Sequence, residues 1–127
     1  MRRCLLTITT VADGKENEIS REGEFALSLT EAKVAYREDA AFVSVGLKNG
    51  AVFVERQGDY TLRLILKKGE TTTGELGING SVGEIETYTR RIAYSLTETS
   101  FMLSLHYSLI MGGEVQDMRL RLFAKEI

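Results

Sequence analysis

The last third of the chain, 82–127, alternates apolar and polar residues, and two turn signals fix how those alternations face one another. With a turn at Gly112-Gly113, opposed residues have numbers that sum to 225. Leu109 then meets Gln116, Tyr107 meets Met118, Leu105 meets Leu120 and Leu103 meets Leu122. With the preceding turn at Glu98-Thr99 the sum is 197, and the same face gains Leu96, Tyr94, Ile92 and Tyr88. Directly opposed residues share one face of a sheet, so a single apolar face runs in register through three strands. Antiparallel sheet is the structure this pattern requires.

The upstream chain carries the same pattern. Residues 3–11 alternate around Leu6 and Ile8 and end at Ala12-Asp13-Gly14-Lys15, a turn signal. In 17–29, Ile19, Phe25 and Leu27 share one face and Glu18, Glu22 and Glu24 the other. Gly23 inside that run predicts a bulge or sharp bend. A short strand over 33–38 has Val34 and Tyr36 in phase, with a helical turn in 28–39 as the alternative because Glu31, Ala32 and Lys33 favour helix. Asn49-Gly50 is a type I′ hairpin signal that sets Leu47 against Val52 and Val45 against Val54. After Gln57-Gly58-Asp59, Tyr60, Leu62, Leu64 and Leu66 alternate with polar or outward residues. A three-residue loop, Lys68-Gly69-Glu70, then pairs Leu62 with Leu76 and Tyr60 with Ile78. Asn79-Gly80 leads into the closing hairpins.

The sum is about ten strands in up-and-down order, each with one apolar face. Such a meander leaves exposed edges unless it closes, so the expected fold is all-β: an antiparallel up-and-down barrel of about 8–10 strands. A two-sheet sandwich is the alternative. At 127 residues the chain forms one domain. Charge is interspersed and sums to −2, which argues against a nucleic-acid binder, whose affinity needs a concentrated positive field. The lone Cys4 precludes an internal disulfide, fits a reducing compartment, and reads as a small buried hydrophobe. No apolar run has the length of a signal peptide or a membrane helix, so no membrane is expected and the cytoplasm is the expected location. One His and one Cys cannot build a zinc site, and no P-loop, dinucleotide fingerprint or nucleophile elbow is present. No metal, cofactor or catalytic residue is assigned.

The residues that could carry chemistry are polar side chains falling on the apolar face. Constant alternation from the 98–99 turn puts Arg90 opposite Tyr107 and Glu86 opposite Met111. The Val52-Val54 face continues to Arg56, which the next turn sets opposite Tyr60, and Glu38 shares its face with Tyr36 and Val34. Buried charges cost several kcal/mol unless paired. Arg90, Tyr107, Glu86, Arg56, Tyr60, Tyr36 and Glu38 are therefore the expected lining of a barrel mouth or cavity. The bland reading is that Glu38, Arg56 and Glu86 lie near strand ends and reach water. Arg90, mid-strand, is the exception, and its guanidinium would suit a carboxylate or phosphate.

The opposite face gives a second set. His106 falls between Arg91 and Arg119 with no carboxylate in the register to orient it, so a surface histidine is expected there, not a general base. Arg91, His106, Arg119 and Arg121 form an outward basic patch. Beside it Met102 faces Phe123, a candidate self-association surface.

Several stretches resemble the small bacterial calycin-like β-barrel proteins of the YwiB type, a family of unknown function. They are Arg56-x-Gly58, Lys68-Gly69-Glu70-Thr71-Thr72-Thr73, Gly83-Glu84-Ile85, Thr89, Ile92 and Leu105-x-Tyr107-x-Leu109, with Tyr36-x-Glu38 upstream. The resemblance implies a calycin- or lipocalin-like barrel in a cytoplasmic bacterial protein, and no activity. Three functions then stand as expectations. The first is binding of a small anionic or amphipathic ligand in or at the mouth of the barrel. The second is an interaction or homodimer module with a solid barrel core, and the weakest is an enzyme using Glu86 and Arg90.

Overall fold

The computed structural model describes all 127 residues, and most of them lie in ten strands. They are β1 (Arg2–Ala12), β2 (Lys15–Leu27), β3 (Ala32–Glu38), β4 (Ala41–Lys48), β5 (Ala51–Gln57), β6 (Tyr60–Leu66), β7 (Thr71–Ile78), β8 (Ser81–Leu96), β9 (Ser100–Met111) and β10 (Glu114–Glu126). Each pairs antiparallel with its successor, and β1 also pairs with β10, which closes the sheet into a barrel; 15–22 of β2 and 91–96 of β8 run past their second partner and pair on one side only. The barrel, not the sandwich, is the fold. No helix forms at 28–39, because Ser28 Oγ accepts the Glu31 amide at 3.0 Å and the chain turns straight into β3.

Turn chemistry sets most of the register. Asp13-Gly14, Asn49-Gly50, Asn79-Gly80 and Gly112-Gly113 all hold positive φ at both central positions, the type I′ geometry that matches strand twist. The pairs expected across Asn49-Gly50, across the 68–70 loop and across Gly112-Gly113 are all present. Arg56 is different: it pairs with Leu62, not Tyr60, because the β5–β6 connection is longer than a three-residue loop. Gly23 produces no bulge either. The β1–β2 register runs through it unbroken, and glycine is needed because a Cβ would meet Ala35 O at 2.5 Å and Leu6 Cδ1 at 2.7 Å.

The bulge lies in β8. From Leu96 to Arg91 the pairing with β9 follows the expected sum, but Thr89, not Arg90, meets Tyr107. The one-residue shift turns Ile85, Thr87 and Thr89 inward, all at most 2 % exposed, and sends Glu86, Tyr88 and Arg90 outward. Glu86 accordingly pairs with Ile110, not Met111. The loop before β7 packs on this irregularity, with the Gly69 amide donating to Thr89 O at 2.7 Å.

Five turns, from Asp13-Gly14 to Gly112-Gly113, form an upper rim, and the remaining loops with both chain ends form a lower rim. Twenty buried side chains fill the lumen, and they crowd the lower two thirds: Cys4, Leu6, Phe25, Val52, Leu66, Phe101, Leu122 and Ala124 are each fully enclosed. Towards the upper rim the inward positions become half-buried and polar, at Thr10, Arg21, Glu38, Arg56 and Gln116.

Candidate functional site

The bulge removes the central residue of the lumen site expected from sequence. Arg90 is exposed on the outer wall, where it donates to Ser108 Oγ and lies 5.3 Å from the Tyr88 ring centroid. Glu86 is exposed on the same wall. Tyr107 does face the lumen, 5 % exposed, and burial pushes its phenol up to about 12. The seven residues therefore separate into two outward side chains, one deep phenol and an upper-rim group.

Within the rim group, Arg56 is used up locally. It binds Asp59 at 2.9 Å, donates to Tyr60 O at 2.9 Å and stacks 3.8 Å from the Tyr60 ring centroid, so it clamps its own turn. Its guanidinium holds the Asp59 carboxyl below the usual range. Tyr36 is buried, and its phenol is pushed up to about 12 by burial, then by the nearby Glu38 carboxylate, with Arg21 opposing. Arg21 was not singled out from sequence, although it has the inward parity of Ile19 and Phe25. Concavities open on the outer wall and along the lower rim, and Arg21, Tyr36, Glu38, Arg56 and Tyr60 line none of these five.

One of those concavities coincides with the expected basic patch. Its floor is Thr9 and Val11 of β1, and its walls carry Glu16 of β2, Arg119 and Arg121 of β10, Ser104 and His106 of β9, and Arg91 of β8. The volume is about 230 Å³. The register explains the convergence: Val11, Arg119, His106 and Arg91 lie in one row across four strands, and Thr9, Arg121 and Ser104 in the next. Arg91, Arg119 and Arg121 make no ion pair with any carboxylate of the chain.

His106 has an orienting partner after all. Its Nε2 lies 2.8 Å from Asp117 Oδ1, because Asp117, two residues along β10 from the direct neighbour Arg119, reaches back diagonally. The hydrogen bond with His106 holds the Asp117 carboxyl below its ordinary range, with Arg119 and Arg90 adding to the effect. Asp117 is anchored in turn by its amide, which donates to Asp13 Oδ1 at 2.9 Å. Direct pairing alone could not show this; inspection of diagonal neighbours could have. Met102 and Phe123 pair on the outer wall as expected and are 47 % and 37 % exposed. No group of three His, Cys, Asp or Glu side chains gathers closely enough to hold a metal ion, and no helix is long and apolar enough to cross a membrane.

A closed ten-stranded antiparallel meander with a side-chain-filled lumen defines the class: a small all-β barrel protein. Its fold is similar to the crystal structure of the ywiB protein from Bacillus subtilis, with TM-score 0.83, 19% sequence identity and coverage of 99% of this chain and 92% of that one. Residues 6–122 match the family described as a domain of unknown function (DUF1934), and the chain belongs to that family. No curated protein matches the sequence.

Proposed function

We propose that the protein is a binding protein, not an enzyme, and that it recognises an anionic group on the outer wall of its barrel, between β1, β8, β9 and β10. The observation that carries this reading is the group of three arginines, Arg91, Arg119 and Arg121, converging on one depression without a carboxylate partner. Unpaired guanidinium groups around a concavity offer bidentate donors to a carboxylate or phosphate. Ser104 adds a hydroxyl at the same place, while the Thr9 hydroxyl donates to Glu18 at 3.3 Å. The filled lumen and the outward turn of Arg90 favour the wall over the interior. Glu86 and Arg90 lie exposed on either side of Tyr88, with Arg90 bonded to Ser108 and not to Glu86, which gives no support to chemistry by that pair.

Calorimetric titration of the protein with pyrophosphate tests the reading. Binding is expected to weaken about tenfold or more in Arg119→Gln/Arg121→Gln, the loss of about 1.4 kcal/mol or more from two charge-assisted contacts. Arg56→Gln, at the upper rim, should leave it unchanged. No binding by the unmodified protein, or equal binding by the double variant, overturns the proposal.

A further inference from the structure

We infer that the anionic group met by Arg119 and Arg121 is the glutamate stripe of β2 from a second copy of this chain, in a two-fold dimer whose axis runs along β1. This rests on the reading of those arginines as an anion-recognising pair, and adds the partner. The outward residues of β1 are Arg3, at the lower end, then Leu5, Thr7, Thr9 and Val11, and the last four form the repeating part of the face. On the β10 side they are flanked in order by Lys125, Phe123, Arg121 and Arg119. On the β2 side the same four are flanked by Glu22, Ser20, Glu18 and Glu16. Three of the four positions thus have a cation on one side and a glutamate on the other, with the apolar Phe123 opposite small Ser20 at the fourth.

A two-fold rotation about an axis lying along β1 places the β10 stripe of one copy over the β2 stripe of the other. Arg119 then meets Glu16, Arg121 meets Glu18 and Lys125 meets Glu22, each contact occurring twice as an isologous interface requires. Spacing matches because both stripes repeat every second strand residue, about 6.8 Å. An unrelated acidic partner would have to reproduce that spacing; the chain supplies it.

Two further observations fit. The two stripes do not satisfy each other within the chain: no ion pair links β2 to β10, and Glu16, Arg119, Arg121 and Lys125 have no charged partner at all. Glu22 is bound by Arg3 of β1 at 2.9 Å, which leaves Arg119–Glu16 and Arg121–Glu18 as the pairs the dimer chiefly supplies. The centre of the face is also shaped to be covered. Thr9 and Val11 form the floor of the depression, while Leu5, Phe123 and Met102 leave apolar surface at 51 %, 37 % and 47 % exposure beside the charges.

Sedimentation equilibrium at low and high salt, with charge swaps, tests the dimer. The unmodified chain is expected to dimerise at low salt and to dissociate as salt screens the exposed pairs. Arg119→Glu/Arg121→Glu and Glu16→Arg/Glu18→Arg should each be monomeric, because both contacts become like-charged, with dissociation constants raised about tenfold or more. Mixed one to one, the two variants should pair with each other, since every contact is again of opposite sign. All four side chains are exposed, so melting temperatures should stay close to that of the parent. A chain that is monomeric at every salt concentration, variants that still self-associate, or a mixture that stays monomeric overturns the dimer. Pyrophosphate titration of such a monomer judges anion recognition separately.

Discussion

Thr87 and Thr89 both point into the barrel beside the bulge, and they differ in what their hydroxyls meet. Thr87 Oγ1 lies 2.7 Å from Thr72 Oγ1, which in turn donates to Ile65 O. Thr89 Oγ1, fully enclosed, has no hydrogen-bond partner in the protein. A buried unpaired hydroxyl costs about 1–3 kcal/mol, whereas a paired one contributes about 1 kcal/mol. Thr89→Val replaces the hydroxyl by a methyl group of the same shape and is expected to stabilise the barrel by about 1 kcal/mol. Thr87→Val should do the opposite by about 1 kcal/mol, since it removes the hydrogen bond between the Thr87 and Thr72 hydroxyls, with Thr72 keeping Ile65 O. Urea unfolding curves of the two variants decide it; equal effects of the same sign would show that the two hydroxyls are not distinguished by their partners.

At the scale of the element, β8 changes character where its partner runs out. Pairing with β7 ends at Tyr88, so from Arg91 to Leu96 the strand is held only by β9. That is why Tyr94, on the inward side, is nonetheless 51 % exposed. Amides of 91–96 that do not bond to β9 should exchange with solvent orders of magnitude faster than those of 101–107, which lie between two strands. Hydrogen exchange resolved by residue measures this, and equal protection on both segments would contradict it. The same strand marks where sequence stopped being a sufficient guide. Two-residue turns fix register through local φ, so the hairpins at Asn49-Gly50 and Gly112-Gly113 were readable from composition and spacing. A bulge leaves no such local mark, and alternation carried back through it from the 98–99 turn assigns the side chains on its N-terminal side to the wrong face. Its trace was present in the sequence. Glu86 and Arg90 fell on an apolar face while Ile85, Thr87 and Thr89 fell outside, and that conflict reflects a shifted frame, not a lined cavity. The outer patch escaped the error because Arg91, His106, Arg119 and Arg121 all lie beyond the bulge, in the part of the register the turns had fixed. Asp117 went unseen because a diagonal contact depends on side-chain reach, which direct pairing does not encode.

For the molecule as a whole, the filled lumen couples stability to alkaline pH through Tyr36 and Tyr107. Both phenols are raised from about 10 to about 12 in the folded barrel, chiefly because burial disfavours the phenolate. In the unfolded chain they return to about 10. Between those limits the folded state holds protons that the unfolded state has released, so stability must fall as pH rises. The contribution is present in full below about pH 10 and is lost progressively as pH climbs towards about 12. Each phenol accounts for about 1.4 kcal/mol per pH unit inside that window. Burial raises the Cys4 thiol as well, which acts with the same sign from the lower pH at which a free thiol ionises. The acid side behaves in the reverse sense. Asp117 is held low by His106, so what it contributes is present above the ordinary carboxylate range and is lost as pH falls through it. Urea midpoints measured across the alkaline range should therefore drop steeply above about pH 10. The slope should be about halved in Tyr107→Phe and should fall to whatever Cys4 contributes when Tyr36→Phe is added. A profile that stays flat to about pH 11, or a slope unmoved by both substitutions, would mean that the phenols reach solvent in the folded barrel and that the lumen is less tightly filled than its packing indicates.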